Sequence, residues 1–84
     1  MNTTAKTKLT FLGSLLDVDL KYSLKGTPHL VKKLDCRPHP FSICYFKKTD
    51  SFRIFYPYGI SNPGQKKWTF HSIQEILNFF NNRS

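Results

Sequence analysis

The sequence predicts an α+β domain, a small antiparallel sheet of roughly three to five strands packed against a C-terminal amphipathic helix. Three observations predict it. Apolar and polar residues alternate strictly from Leu16 to Lys25, two aromatic and β-branched runs flank a short polar connection, and a helix-capping pattern opens an apolar stripe near the end of the chain. At 84 residues the chain suits one domain with a single core layer. Thirteen aromatic residues, eight of them Phe, supply much apolar area per ordered residue, so the core is expected to be aromatic.

Taken in order, Met1 to Lys8 is polar, rich in Thr and Lys and aperiodic, and is expected to form a flexible basic arm, with the ordered domain over residues 9–84. Gly13-Ser14 interrupts the next apolar segment, so Leu9 to Leu12 reads as a separate short strand or as a continuation bent at a bulge. Leu16, Val18, Leu20, Tyr22 and Leu24 then alternate with Asp17, Asp19, Lys21, Ser23 and Lys25, the period of a half-buried strand. Gly26-Thr27-Pro28 ends that strand. Residues 28–34 have two readings: a short helix capped by Thr27 with Pro28 at its first position, or a strand in which Leu30, Lys32 and Leu34 alternate with Val31 and Lys33.

The tract from Asp35 to Pro40 is a connector, because Pro38 and Pro40 remove backbone donors and restrict their neighbours. FSICYFKK and FRIFYPY form a hairpin across Lys48 to Ser51. Phe41, Ile43, Tyr45, Phe52, Ile54 and Tyr56 fall on one face of it; Ser42, Cys44, Phe46, Arg53 and Phe55 fall on the other. The abundance of apolar residues favours covering Phe46 and Phe55 with a second core layer built from residues 9–34. Tyr58 to Gln65, with Gly59, Asn62, Pro63 and Gly64, is a turn-rich loop that leads through Lys66-Lys67-Trp68 to the last element. There Ser72-Ile73-Gln74-Glu75 is a capping box, and Ile73, Ile76, Leu77 and Phe80 make the apolar stripe of a helix over residues 72–81, with Asn81-Asn82 suited to a left-handed terminus.

Thirteen basic against five acidic side chains give a formal charge of +8, a field that favours polyanions or acidic protein surfaces. Ten of the thirteen cations are Lys, which meets phosphate as a point charge without the bidentate geometry of Arg, so base-specific reading has few agents. The start of the chain has no apolar signal segment and no apolar run spans a bilayer, which predicts a cytoplasmic protein, or a nuclear one if the source is eukaryotic, with no membrane partner. In that reducing setting Cys36 and Cys44 are expected as thiols.

Little here points to catalysis. Cys36-x-x-His39 has metal-ligand spacing, and Cys44 and His71 are conceivable additions, but a structural zinc site normally presents two tight ligand pairs; no metal or other cofactor is expected. The few acids and histidines are scattered, Glu75 is occupied by its cap, and the glycines of residues 59–64 lack the Lys-Ser or Lys-Thr of a phosphate-binding loop. A small basic ribonuclease using His and Lys is the competing catalytic reading. The leading expectation is a small non-enzymatic nucleic-acid-binding protein that contacts phosphates through Lys47 and Lys48 at the hairpin tip, Arg53 between Phe46 and Phe55, and Lys66 and Lys67 in the loop before the helix. The alternative is a protein-binding module or inhibitor that docks an acidic partner surface by sheet-edge addition.

From Ser51 to Phe80 the order strand, Pro-x-Gly turn, Lys-Lys-aromatic and helix, carried by Phe55, Pro57, Gly59, Lys66, Lys67, Trp68 and the helix starting at Ser72, resembles the methyl-CpG-binding domain and related integrase-type DNA-binding domains. That resemblance implies DNA read by the sheet side and its long loop. Thr69 stands where the family has Arg, Arg53 and Ile54 replace its tyrosines and the turn is longer, so what carries over is a sheet-plus-helix DNA-binding scaffold without methyl-CpG reading. The same stretch is similar to a Src-homology-2 domain, but that family's phosphate-binding Arg would fall near Cys44 and is missing, which leaves peptide binding and not phosphotyrosine recognition as the implication.

Overall fold

A computed structural model describes residues 3–58 and 64–82. Its elements are α1 (Thr3–Leu16), β1 (Leu20–Tyr22), β2 (Pro28–Lys32), β3 (Phe41–Phe46), β4 (Ser51–Tyr56), β5 (Lys66–Phe70) and α2 (Ile73–Asn81). The five strands form one antiparallel sheet in chain order. The fold class is therefore the expected α+β, with a second helix that sequence patterning did not reveal. No helix among the described residues is long and apolar enough to cross a membrane.

The first third of the chain differs most from expectation. Thr3 to Lys8 begins α1 and is not an arm, and Leu9 to Leu12 is helical and not a strand. Leu9, Leu12 and Leu16 are buried on one stripe of α1, and Gly13 continues the helix where its sequence signal suggested a break. The expected strand from Leu16 to Lys25 shrinks to Leu20–Tyr22. Its beginning is consumed by the end of α1: Asp17 takes a left-handed backbone with φ of 60°, and Val18 N–H donates to the Gly13 carbonyl at 2.9 Å. This is a Schellman closure with Asp at the position where Gly is usual. Val18 then turns inward against the core. Because a left-handed L-residue costs about 1–2 kcal/mol, Asp17→Gly is expected to stabilise the protein by up to about 1 kcal/mol, read from the urea unfolding midpoint; a lower midpoint would mean that the Asp17 side chain supports the turn.

Gly26, with φ of 83°, carries the left-handed residue of the turn between β1 and β2. Residues 28–32 form a strand, so Thr27 caps no helix; Leu30 lies opposite Ile43 and is fully buried. The β3–β4 hairpin pairs Ile43 with Ile54 and Tyr45 with Phe52, as the alternation predicts. Its turn closes through Asp50 N–H donating to the Lys47 carbonyl, with Asp50 at φ of 48°. The Asp50 carboxylate accepts hydrogen bonds from the Tyr45 hydroxyl and from Lys8 of α1, and Lys8 also lies over the Tyr45 ring. Hydrogen bonding from Tyr45, then from Lys8, holds the Asp50 carboxyl below its ordinary pKa, while the same bonds to Asp50 raise the Lys8 and Tyr45 values. The depressed Asp50 value favours the fold above the unfolded carboxylate pKa and stops doing so as pH falls through the folded one; in so exposed a group the effect is small.

Lys66 and Lys67 open strand β5 and are not in a pre-helix loop. Ser72 caps α2 as the sequence predicts: its hydroxyl accepts from Glu75 N–H, and the Glu75 carboxylate accepts from Ser72 N–H. The C-cap Asn82 is right-handed, with φ of −75°, and not left-handed. The expected loop features Gly59, Asn62 and Pro63 lie outside the described residues.

Both helices cover the same face of the sheet. Leu9, Leu12 and Leu16 of α1 and Ile76, Phe79 and Phe80 of α2 share one core with Leu30, Phe41, Ile43, Phe52 and Ile54. Phe41 is at its centre, its ring meeting Tyr56, Trp68, Phe79 and Phe80 at centroid distances of 4.6, 6.1, 5.9 and 5.4 Å.

Candidate nucleic-acid interface

Since residues 9–34 supply α1 to the same layer as α2, they do not cover Phe46 and Phe55, and the expected second core layer is absent. Strand pairing assigns directly the face that no described helix or strand covers. Lys21 of β1, His29 and Val31 of β2, Ser42, Cys44 and Phe46 of β3, Arg53 and Phe55 of β4, and Lys67 and Thr69 of β5 alternate with the core-facing residues. None of them is acidic. The face is thus both basic and aromatic, and Phe46 is 38% exposed.

Its cations sit over its rings. The Arg53 guanidinium carbon lies 4.4 Å from the Phe46 ring centroid, and Lys67 Nζ lies 6.0 Å from that of Phe55. Register explains both pairings. Phe46 opposes Ser51 and Cys44 opposes Arg53, so the Arg side chain reaches Phe46 diagonally along the strand; Phe55 opposes Lys67 directly. Such stacks keep a positive group in place while leaving its outer surface open to a ligand.

The five sequence-predicted residues do not form one cluster. Arg53 and Lys67 share the open face. Lys47 and Lys48 are exposed in the β3–β4 turn at its rim, where the nearby Asp50 is matched by Lys8. Lys66 has the opposite parity: it pairs with Tyr56, whose ring meets Phe41, and so projects on the helix-bearing side. Phe46 and Phe55 stand about 13 Å apart along the hairpin, at roughly 3.3 Å per residue, with Arg53 between them.

Near the β1–β2 corner the same face has a cleft of about 450 Å³ lined by Lys21, Tyr22, His29, Ser42, Cys44 and Tyr58 among others. The His29 and Tyr58 rings stack with centroids 5.9 Å apart and planes 22° from parallel. Tyr58 reaches this position because its N–H donates to the Pro40 carbonyl at 2.9 Å, which folds the chain after β4 toward the start of β3. Lys21 was legible on the polar side of an alternating strand; His29 lay in a segment readable as helix or strand, and nothing in the pattern around Tyr58 announces its return across the sheet. Burial pushes the Cys44 thiol pKa up, against a smaller lowering by a hydrogen bond with Ser42, so the group stays a neutral thiol near pH 7 and a poor nucleophile.

Of the possible metal ligands, Cys36 is in the β2–β3 connector, Cys44 is on the open face and His71 precedes α2; among the described residues no three His, Cys, Asp or Glu side chains are grouped to hold an ion. No protein-family model, no curated protein and no solved structure matches the chain.

Proposed function

We propose that this chain is a small non-enzymatic nucleic-acid-binding protein of a cytoplasmic or nuclear compartment, which uses the uncovered face of its sheet. One observation carries the reading: a sheet face free of acidic residues places Arg53 over Phe46 and Lys67 over Phe55, with Lys47 and Lys48 at its rim. Phosphates are drawn by the cations, and the rings add sequence-tolerant contact area. The net charge of +8 supplies long-range attraction of the matching sign.

The test is fluorescence anisotropy with labelled duplex DNA, single-stranded DNA and RNA at low and physiological salt. Micromolar or tighter binding at physiological salt is expected. Arg53→Ala combined with Lys67→Ala should weaken it about tenfold and flatten the slope of log affinity against log salt by about 1.4–1.8, that is about 0.7–0.9 for each lost phosphate contact. Lys66→Ala, on the other side of the sheet, should change little. Binding seen only at low salt and indifferent to Arg53 and Lys67 would reject the reading and direct the search to an acidic protein partner.

A further inference from the structure

Resting on that reading, we propose that the polymer is single-stranded and that one unpaired base enters the cleft bounded by His29 and Tyr58, with Lys21 placed to hold its phosphate. Four features lead there. The cleft, at about 450 Å³, lies within the range of roughly 300–1,000 Å³ typical of small-molecule sites. It presents two rings that already stack on each other, and a base stacked on an aromatic ring gains affinity whatever its identity. Tyr58 is 41% exposed, so much of its ring remains available. Polar atoms for a base edge are at hand in the Ser42 hydroxyl and the His29 imidazole, whose Nδ1 lies 3.4 Å from the Thr27 carbonyl oxygen.

The cleft also continues the rest of the face. Ser42, in its lining, is the cross-strand partner of Phe55, so the Phe55–Lys67 stack borders the cleft, and Arg53 and Phe46 extend the track toward the hairpin tip. A strand following this path meets ring faces and cations in alternation. A duplex meets them less readily: its bases are stacked within the helix, and a sheet reaches their faces only by wedging a base step apart and bending the DNA, at a cost of a few kcal/mol that a single strand does not bear. Side chains that contact flat base faces therefore favour a polymer whose bases are free.

Anisotropy titrations at physiological salt would compare a short RNA strand, the same sequence as single-stranded DNA, that DNA with its bases removed, and its duplex. The intact single strands, RNA or DNA or both, are expected to bind about tenfold or more tighter than the abasic strand and the duplex. Tyr58→Ala and His29→Ala should each bring intact-strand binding toward the level of the abasic strand, whereas Tyr58→Phe should retain the difference. Equal binding of intact and abasic strands, equal binding of the duplex, or indifference to both alanine substitutions would overturn the single-stranded cleft and leave phosphate binding in place. Failure of every polymer to bind would overturn both proposals. The comparison of polymers uses the unaltered protein, so it stands whether or not a variant folds.

Discussion

Replacing Phe41 with alanine is expected to cost about 3–5 kcal/mol of stability. The ring is fully buried, and its edges and faces meet four other aromatic rings contributed by β4, β5 and α2. The neighbours belong to three different elements, so collapse around an alanine would have to move a helix against a sheet and the cavity would persist in large part. A chain of this length is expected to have a total stability of only about 4–13 kcal/mol, so the substitution removes from about a quarter of it to all of it. Urea unfolding followed by the fluorescence of Trp68, whose ring centroid is 6.1 Å from that of Phe41, reads the loss directly. Phe46→Ala is the matched control: with its ring on the uncovered face, it should cost less than about 1 kcal/mol. Equal losses at the two positions would contradict a one-sided core.

Gly13→Ala should also destabilise, by about 1–3 kcal/mol, although the position is helical. In an exposed helix interior the same exchange gains about 1 kcal/mol. Here an added Cβ would stand 2.7 Å from the Val18 carbonyl oxygen and 3.1 Å from a Leu30 methyl carbon. The first contact is with backbone fixed by the closure of α1 and cannot swing aside. Gly13 thus lies against both the turn and strand β2, and its lack of a side chain permits that approach. A rise in the urea midpoint of Gly13→Ala would show that the helix sits farther from β2 than the structure places it.

These two positions also show what a reader of the sequence could and could not see. The hairpin was legible because its two strands alternate aromatic and polar residues through their whole length, and α2 was legible because Ser72 and Glu75 mark its start in chemical terms. Helix α1 was hidden by two residues with misleading local signals. Gly13 reads as a break but serves close packing, and Asp17 ends the helix in a conformation usually marked by Gly. With those two signs reversed, the alternation from Leu16 onward passed for one long strand, while it in fact crosses a helix end, a turn and only three strand residues. The open face followed from the same error, because a helix in place of strands at the start of the chain adds a second element to the side that α2 already covers. Arg53 and Lys67 could be picked out by charge alone, but their separation from Lys66 depends on strand parity, and the part played by Tyr58 depends on a turn that brings distant residues together.

The placement of both helices on one side of the sheet sets the way this molecule can be attached to anything else. The described chain begins in α1 and ends in α2, and both helices lie behind the sheet. A probe attached to an exposed position of either helix, such as Thr10 or Gln74, stands across the core from the aromatic and basic face. Held by such a helix position on a sensor surface, the domain would present that face outward like a tile fixed from its back.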